Sequence, residues 1–376
     1  MWIERLVLRN FRNYEYADIQ FCRGTNLIQG ENAQGKTNIL EALSLLSTGK
    51  SFRTPHITDC IKNKCNWMSI EAHFHKEDVE QTLSIWYDGQ TKKIAHNQTY
   101  YSSFSPLLGI MPSVLIVPED VALISGSPSE RRRFIDLHIA QIDPLYFYHL
   151  SRFHKAMKQR NALLKQQSTA GISTWEQIMS HSAVFIGKAR DHHTKLLQDK
   201  ACTYLQTLTN NADIIEIKFQ RSLPYSLDDN DLFLKYQNHY NKSRSKELLL
   251  KSTLQGSHRD ELEIFVNQKG AKLFASEGQK RSIITAIHLA QRDVFEEHTG
   301  SSPLIGIDDF GCHLDLKRSE ILLSYSAKLG QTLLTSPTTF FLEKSREQRK
   351  FIVSKGTVSQ ETELYDENRP DLQRTL

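Results

Sequence analysis

Apolar and polar positions alternate, or gather in short apolar runs, through the first third of this 376-residue chain. That pattern predicts strands at Ile3–Leu8, Thr25–Gln29, Trp67–Phe74, Gln81–Tyr87 and Ser113–Val117. Directly after Thr37 the period lengthens, and Ile39, Leu43 and Leu46 fall on one face of a helix. From about Ser129 to Asn210 helical spacing takes over, as in Phe153, Met157 and Leu164, and Pro144 is the single proline there. The polar stretch Leu227–Ser245, with Asp228-Asp229-Asn230-Asp231, predicts a loop or hinge. Beyond Leu248 strand and helix patterns alternate again, up to a charged tail after about Lys344. No internal repeat and no sustained heptad array interrupts this order. The order predicts an α/β protein whose nucleotide-binding domain is split in sequence: residues 1–125, a helical arm-like insertion at 126–245, and 246–376.

Between the second strand and its helix stand Gly30-Glu31-Asn32-Ala33-Gln34-Gly35-Lys36-Thr37, a complete G-x-x-x-x-G-K-T phosphate loop. Glycines let backbone N–H groups wrap phosphates, and the helix N-terminus faces the negative charge. Lys36 reaches the β- and γ-phosphates of ATP, and the Thr37 hydroxyl ligates Mg²⁺.

A second segment, Pro303-Leu304-Ile305-Gly306-Ile307-Asp308-Asp309, is an apolar strand ending in an acidic pair. Behind a phosphate loop this is the metal-side partner: Asp308 for Mg²⁺, Asp309 to orient or deprotonate the attacking water. Upstream, Ser276-Glu277-Gly278-Gln279 opens a helix whose apolar face is Ile283, Ile287, Ala290 and Val294. Ser276 reads as an ordinary helix cap. It also reads as the start of an S-x-G-Q element whose hydroxyl, glycine backbone and helix dipole bind a γ-phosphate.

Composition narrows the field. A net charge of +4 is only mildly basic, so a nucleic-acid surface has to come from local patches. No apolar run approaches the length of a membrane span. The N-terminus lacks the form of a secretion signal, and five sparse cysteines suit a reducing compartment, so a cytoplasmic location is expected. Cys60, Cys65 and His56 fit no standard zinc spacing.

Ser276–Gln279 resembles the signature of the ABC ATPase superfamily, and Cys312-His313-Leu314-Asp315 resembles its D-loop. The resemblance then narrows. Asn10-Phe11-Arg12-Asn13 looks like the N-terminal motif of SMC-like DNA-repair ATPases, which adds Arg12 and Asn13 to the ATP-binding set. Pro118-Glu119-Asp120, the run Gly126–Asp136 and Gly256-Ser257-His258-Arg259-Asp260-Glu261-Leu262 are similar to segments of the bacterial RecF family, in the expected order.

The resemblance implies an ABC-type ATPase head split by a helical insertion. It implies an ATP-dependent homodimer, with Ser276, Gly278 and Gln279 acting on the partner's nucleotide and Asp315 in the D-loop. It also implies single- and double-stranded DNA, and gap junctions, as ligands. RecR would be a direct partner, with RecO and RecA acting indirectly in loading RecA onto SSB-coated strands. There are departures: Glu277 stands at a usual glycine, Ser257 at a usual proline, and Cys312 at a usual small residue. No switch histidine follows Thr332-Leu333-Leu334-Thr335. Asp309 stands where the wider superfamily has Glu. A water misplaced by about 1 Å costs about 100-fold in rate, so slow, DNA-stimulated hydrolysis is implied.

For DNA, Arg131, Arg132 and Arg133, and the helix carrying Arg152, Lys155, Lys158, Arg160 and Lys165, concentrate positive charge. The best candidates are Arg131, Arg132, Arg152, Lys155 and Lys158, reading phosphates rather than bases. Lys344, Arg346, Arg349 and Lys350 form a second cluster. Three alternatives stay open at this point: a transport-type ATPase subunit, a structural SMC-like protein, and an ATP-binding DNA scaffold without turnover.

Overall fold

The computed structural model describes residues 1–223, 232–311, 318, 320–322, 325, 330–338 and 347–361. In chain order the first part contains β1 (Trp2–Phe11), β2 (Tyr14–Gln20), β3 (Thr25–Gln29), α1 (Lys36–Thr48), β4 (Met68–Lys76), β5 (Val79–Tyr87), β6 (Lys92–His96), β7 (Thr99–Tyr101) and β8 (Ser113–Ile116). A helical lobe follows: α2 (Val121–Ser125), α3 (Pro128–Ile142), α4 (Pro144–Lys165), α5 (Ile172–Leu208), β9 (Ile215–Gln220) and α6 (Leu232–Leu250). The chain returns through β10 (Glu261–Val266), β11 (Lys269–Gly270), α7 (Ala271–Phe274), α8 (Glu277–Thr299), β12 (Leu304–Ile307), β13 (Thr332–Ser336), β14 (Gln348–Ser354) and β15 (Thr357–Glu361). This is the ABC-type ATPase architecture with a mainly helical insertion.

Two six-stranded sheets build the head. One runs β2-β1-β4-β5-β6-β7, all antiparallel. Its strands alternate, as in β4, where Met68, Ile70, Ala72 and Phe74 point inward. The other runs β15-β14-β3-β13-β12-β8 and is parallel except for β15. Its central strands β3, β12 and β13 are buried at every position, the pattern of a sheet covered on both faces. Helix α1 packs in a shared core with β1, β4 and β5 on one side and Leu333, Phe351 and Val353 of the parallel sheet on the other. It is therefore buried on nearly every side, not only along the expected Ile39–Leu43–Leu46 stripe.

The parallel registers Leu27↔Leu334, Leu334↔Ile307 and Ile307↔Ile116 bring the C-terminal ends of four strands to one edge. Ligands of open α/β sheets bind at this edge.

The helical lobe has its own core, joining α3, α4, α5 and α6 to the inner faces of β9 and β10 and to α8. Pro144 sits at the first turn of α4, and the Asp143 side chain caps it by accepting from Leu145 N–H at 2.8 Å.

The expected loop across 227–245 is corrected from residue 232 onward, where α6 begins. Its composition is polar, yet Leu232, Tyr236 and Tyr240 recur at four-residue spacing and are buried in the lobe. Asp228 to Asp231 lie outside the described residues. The boundary expected between residues 245 and 246 falls inside α6, and β9 of the lobe pairs with β10 beyond it.

Candidate nucleotide site

The phosphate loop is shaped by backbone geometry that glycine alone tolerates. Gly30 has φ +156°, and a Cβ there would lie 2.2 Å from the Val353 carbonyl oxygen of β14. Gly35 has φ +122°, and a Cβ would meet the Asn13 amide at 2.8 Å and the Tyr14 hydroxyl at 2.9 Å. Those neighbours also hold the loop. Asn13 Nδ2 donates to Gln34 O at 2.6 Å, Tyr14 Oη donates to Gly35 O at 3.0 Å, and Asn38 Nδ2 donates to Asn13 Oδ1 at 2.8 Å. From the other side, the turn between β14 and β15 donates Gly356 N–H to Gln34 O at 3.2 Å and Lys355 N–H to Gln34 Oε1 at 2.6 Å. Glu31, Asn32 and Ala33 form the exposed crest, with Ala33 in the left-handed region at φ +63°.

Lys36 is buried, and its Nζ donates to Gly30 O at 2.7 Å and Glu31 O at 2.8 Å, which curls the loop around the ammonium. Thr37 Oγ1 donates to Asp308 Oδ1 at 3.0 Å, joining the start of α1 to the end of β12. Asp308 also accepts from Thr335 Oγ1 at 2.6 Å, and Thr335 Oγ1 in turn accepts from the Asp309 N–H at 2.9 Å. One hydroxyl thus ties the ends of β12 and β13 together. Burial pushes the Asp308 carboxyl above its usual range; the two hydroxyls oppose that and Asp309 adds to it. Asp309 itself has φ +49°, the left-handed region that Asp adopts more readily than most non-glycine residues. Thr37 and Asp308 offer paired hard oxygen donors, a set that suits Mg²⁺.

Arg12, expected in the ATP-binding set, is bonded to α1 and to the turn after it. Its guanidinium is bidentate to Glu41 of α1, with Nε at 2.8 Å, and donates Nη1 to Asp59 O at 2.7 Å. Glu41 is fully buried and is further met by the Ser51 hydroxyl. Arg12 therefore fixes α1, while Asn13 clasps the loop from outside.

Ser276 caps α8 reciprocally: Gln279 N–H donates to Ser276 Oγ at 3.2 Å, and Ser276 N–H donates to Gln279 Oε1 at 3.0 Å. Gln279 Nε2 donates to Asp213 Oδ1 at 2.8 Å. Glu277, the departure from glycine, pairs with Lys280 at 2.8 Å, and that contact lowers its pKa. Ser276 and Gly278 are exposed, and among the described residues no hydrogen bond ties Ser276–Gln279 to the phosphate loop. Farther along α8, Arg281 and Thr285 line a cavity of about 120 Å³ with Val117, Pro118, Asp308 and Asp309. Cys312 to Asp315, including the D-loop candidate Asp315, lie outside the described residues.

The basic candidates separate. Arg131 is nearly buried, pairing with Glu261 at 2.8 Å and donating to Gly126 O at 3.1 Å, so it holds α3 against β10. Arg160 is fully buried between Glu176 and Glu247, which removes it from the expected basic face. Arg132 donates to Asp260 O at 2.7 Å. Arg152 lies over the Tyr148 ring, and Lys155 and Lys158 are exposed on α4. Lys344 and Arg346 lie outside the described residues, while Arg349 donates to Gln20 O and Lys350 pairs with Glu361.

Two residues were given no role by the sequence, although Glu119 lies in the Pro118–Asp120 segment. Thr335 comes from a strand that no motif marks, and its one sequence signal is a hydroxyl ending an apolar strand. Glu119, whose carboxyl is pushed up mainly by burial and further by Asp308, follows β8, the neighbour of β12.

The RecF/RecN/SMC N-terminal domain family matches residues 2–360. The RecF DNA replication and repair protein of Protochlamydia amoebophila is 38% identical over 344 residues, covering 91% of this chain and 96% of that one. The chain belongs to the RecF family. A solved RecF, described as the ATP form of a recombination mediator in the RecFOR pathway, matches with a TM-score of 0.88 at 28% identity. That match covers 96% of this chain and 98% of the other. An Smc head bound to the C-terminal winged-helix domain of ScpA shares the fold at a TM-score of 0.55 and 17% identity, over 96% and 97% of the two chains. RecF-type family membership makes this an SMC-like ATPase of DNA replication and repair.

Proposed function

We propose that this chain is an ATP-gated, DNA-binding recombination mediator that acts at single-strand/duplex junctions of gapped DNA. In this reading it works with RecR directly, and through RecO, to help place RecA on strands coated by single-strand-binding protein. The observation that carries the ATP half is the Thr37–Asp308–Thr335 chain of hydrogen bonds beside Lys36. Lys36 supplies charge to the β- and γ-phosphates, and Thr37 and Asp308 would hold Mg²⁺, which neutralises phosphate charge when bound. Asp309 is the base or water-orienting group. Its backbone is fixed by Thr335, and its arm is one methylene shorter than glutamate, which supports slow, DNA-stimulated hydrolysis.

Dimerisation follows from the two helix starts. The phosphate loop and the exposed Ser276–Gln279 turn belong to one chain yet share no hydrogen bond, and a two-fold pairing gives each loop its partner's α8. ATP then becomes part of the interface, and association depends on it by mass action. For DNA, the exposed Lys155 and Lys158 and the half-buried Arg152 are the phosphate-contacting candidates, with Arg132 beside them.

Sedimentation of the full chain with ATP, Mg²⁺ and gapped duplex is the test. A monomer without ATP, a dimer with it, and a DNA-bound dimer with both are expected. A protein that binds ATP and stays monomeric on gapped DNA overturns the shared-site reading. Asp309→Asn should prolong the ATP-bound dimer by slowing phosphate release.

A further inference from the structure

At the end of α1 opposite the phosphate loop, the head and the helical lobe enclose a cleft of about 590 Å³. The helix has 13 residues, so the cleft lies about 20 Å from Lys36 along its axis. Lys50 enters from the head. Arg132 and Arg133 enter from α3, His154 and Lys155 from α4, and His258 from the turn before β10. One carboxylate lines the cleft, Asp136, and it is already committed to Arg190 at 2.8 and 3.0 Å and to the Tyr146 hydroxyl. No carboxylate among the described residues pairs with Lys50, Arg133 or Lys155.

The cations also work against one another. Lys50 loses water on its cleft side and is repelled by Arg133, and both effects lower its pKa. Arg132 is pulled down by burial and by Arg190. His258 is pushed to about 4 by burial, so at neutral pH it is uncharged; its one N–H is given to Thr253 O at 3.2 Å, and it adds no repulsion to the cleft. A concave cluster in which Lys50, Arg133 and Lys155 have no carboxylate partner among the described residues carries a self-repulsion that an oxyanion relieves. The fork of arginine and the point charge of lysine both suit phosphate.

We infer that this cleft holds a phosphate group, clamped between Lys50 of the head and Arg132, Arg133 and Lys155 of the lobe. The phosphate comes from a DNA backbone or from a free phosphate species, and in either case it staples the far end of the phosphate-loop helix to the inserted lobe. The DNA form deepens the proposed function and rests on it; the phosphate chemistry does not.

The test compares the wild-type chain with Lys50→Gln/Arg133→Gln, which removes two charges and leaves polar side chains. ATP titration and thermal melting of the variant first establish that its nucleotide site and fold are intact, and a single Arg133→Gln serves if the double variant melts early. In a duplex-DNA titration across salt, the double variant should lose about 0.9 units of log–log slope, the value for one phosphate contact. In the second arm, millimolar inorganic phosphate should raise the melting temperature of the wild type and not of the variant if the ligand is a free species. A smaller slope with no phosphate-dependent shift assigns the cleft to DNA, and a shift with an unchanged slope assigns it to free phosphate. A wild type that fails to bind duplex at all removes the proposed function while leaving the second arm valid. Identical slopes and identical melting in both arms overturn the site.

Discussion

Helices α1 and α8 both end in a glycine in the left-handed conformation, Gly49 and Gly300, but they begin in opposite ways. Gly35 precedes α1 with no side-chain cap, so the first-turn N–H groups are left for a ligand. Around them the loop is held by Asn13, Tyr14 and the Lys355–Gly356 turn. The first turn of α8 caps itself with Ser276 and Gln279, is exposed at Ser276 and Gly278, and is held at Gln279 by Asp213. In the proposed function, the difference separates a phosphate site built within the chain from one offered outward to a second copy. Buried surroundings preorganise the first, and a satisfied cap keeps the second stable while it waits.

Breaking the α1 side should have the largest effect. Lys36→Ala removes the charge-assisted contacts to phosphate, each worth about 1.5–3 kcal/mol. Isothermal titration should show ATP binding at least about 100-fold weaker, and wild-type affinity would refute the assignment of the loop. On the α8 side, Ser276→Arg should leave ATP binding of the monomer intact and abolish ATP-dependent dimers in sedimentation. A third change tests the bed of α1. Glu41→Ala leaves Arg12 half-buried and unpaired, and loss of one partner of a buried pair costs about 3–5 kcal/mol. Chemical denaturation reads that loss directly; a change below about 1 kcal/mol would show that Arg12 relaxes to water.

Thr335→Val sharpens the comparison at the strand edge. It removes the donor to Asp308 and the acceptor for Asp309 N–H together, and one charge-assisted bond predicts Mg²⁺-dependent turnover about 10- to 100-fold lower. ATP binding should change less than turnover.

The smallest effect concerns the far part of α8. Its Phe295 and His298 meet His138 of α3 and His193 of α5 in ring contacts, and its His288 meets Phe134 of α3, whereas α1 is bedded in aliphatic and aromatic carbon. Burial lowers the His193 pKa to about 4 and holds His138 well below its ordinary value. The unfolded chain therefore binds protons that the native chain refuses. Stability is full above about pH 6.5 and falls as pH drops from there toward 4. His138→Leu should flatten that slope in melting experiments between pH 7 and 4.5, and an unchanged slope would place the acid sensitivity elsewhere.

The contrast also explains what could be read from residues alone. The phosphate loop, the acidic pair and the Ser276 cap are local, each set by neighbours within a few positions, and each stands where the spacing placed it. Thr335 and Glu119 reach the site only because β13 and β8 flank β12, a relation that sheet order alone discloses. The polar composition of α6 hid a four-residue repeat of large residues. Arg160 looked like surface charge because its acidic partners, Glu176 and Glu247, come from two other helices. Charge read along one helix says nothing of what the next helix brings to it.

The clasp of the phosphate loop by the β14–β15 turn has a consequence in time. Gln34 and Lys355 are 321 residues apart, and both neighbours of β3 in its sheet, β13 and β14, belong to the last stretch of the chain. At about 5–20 residues per second of synthesis, a ribosome spends on the order of 15–60 s between making the loop and making its clasp. The nascent chain thus carries the nucleotide motif long before it carries the nucleotide site. The helical lobe, whose contacts are nearer in sequence, is complete first. ATP competence is among the last properties the protein acquires as it is made.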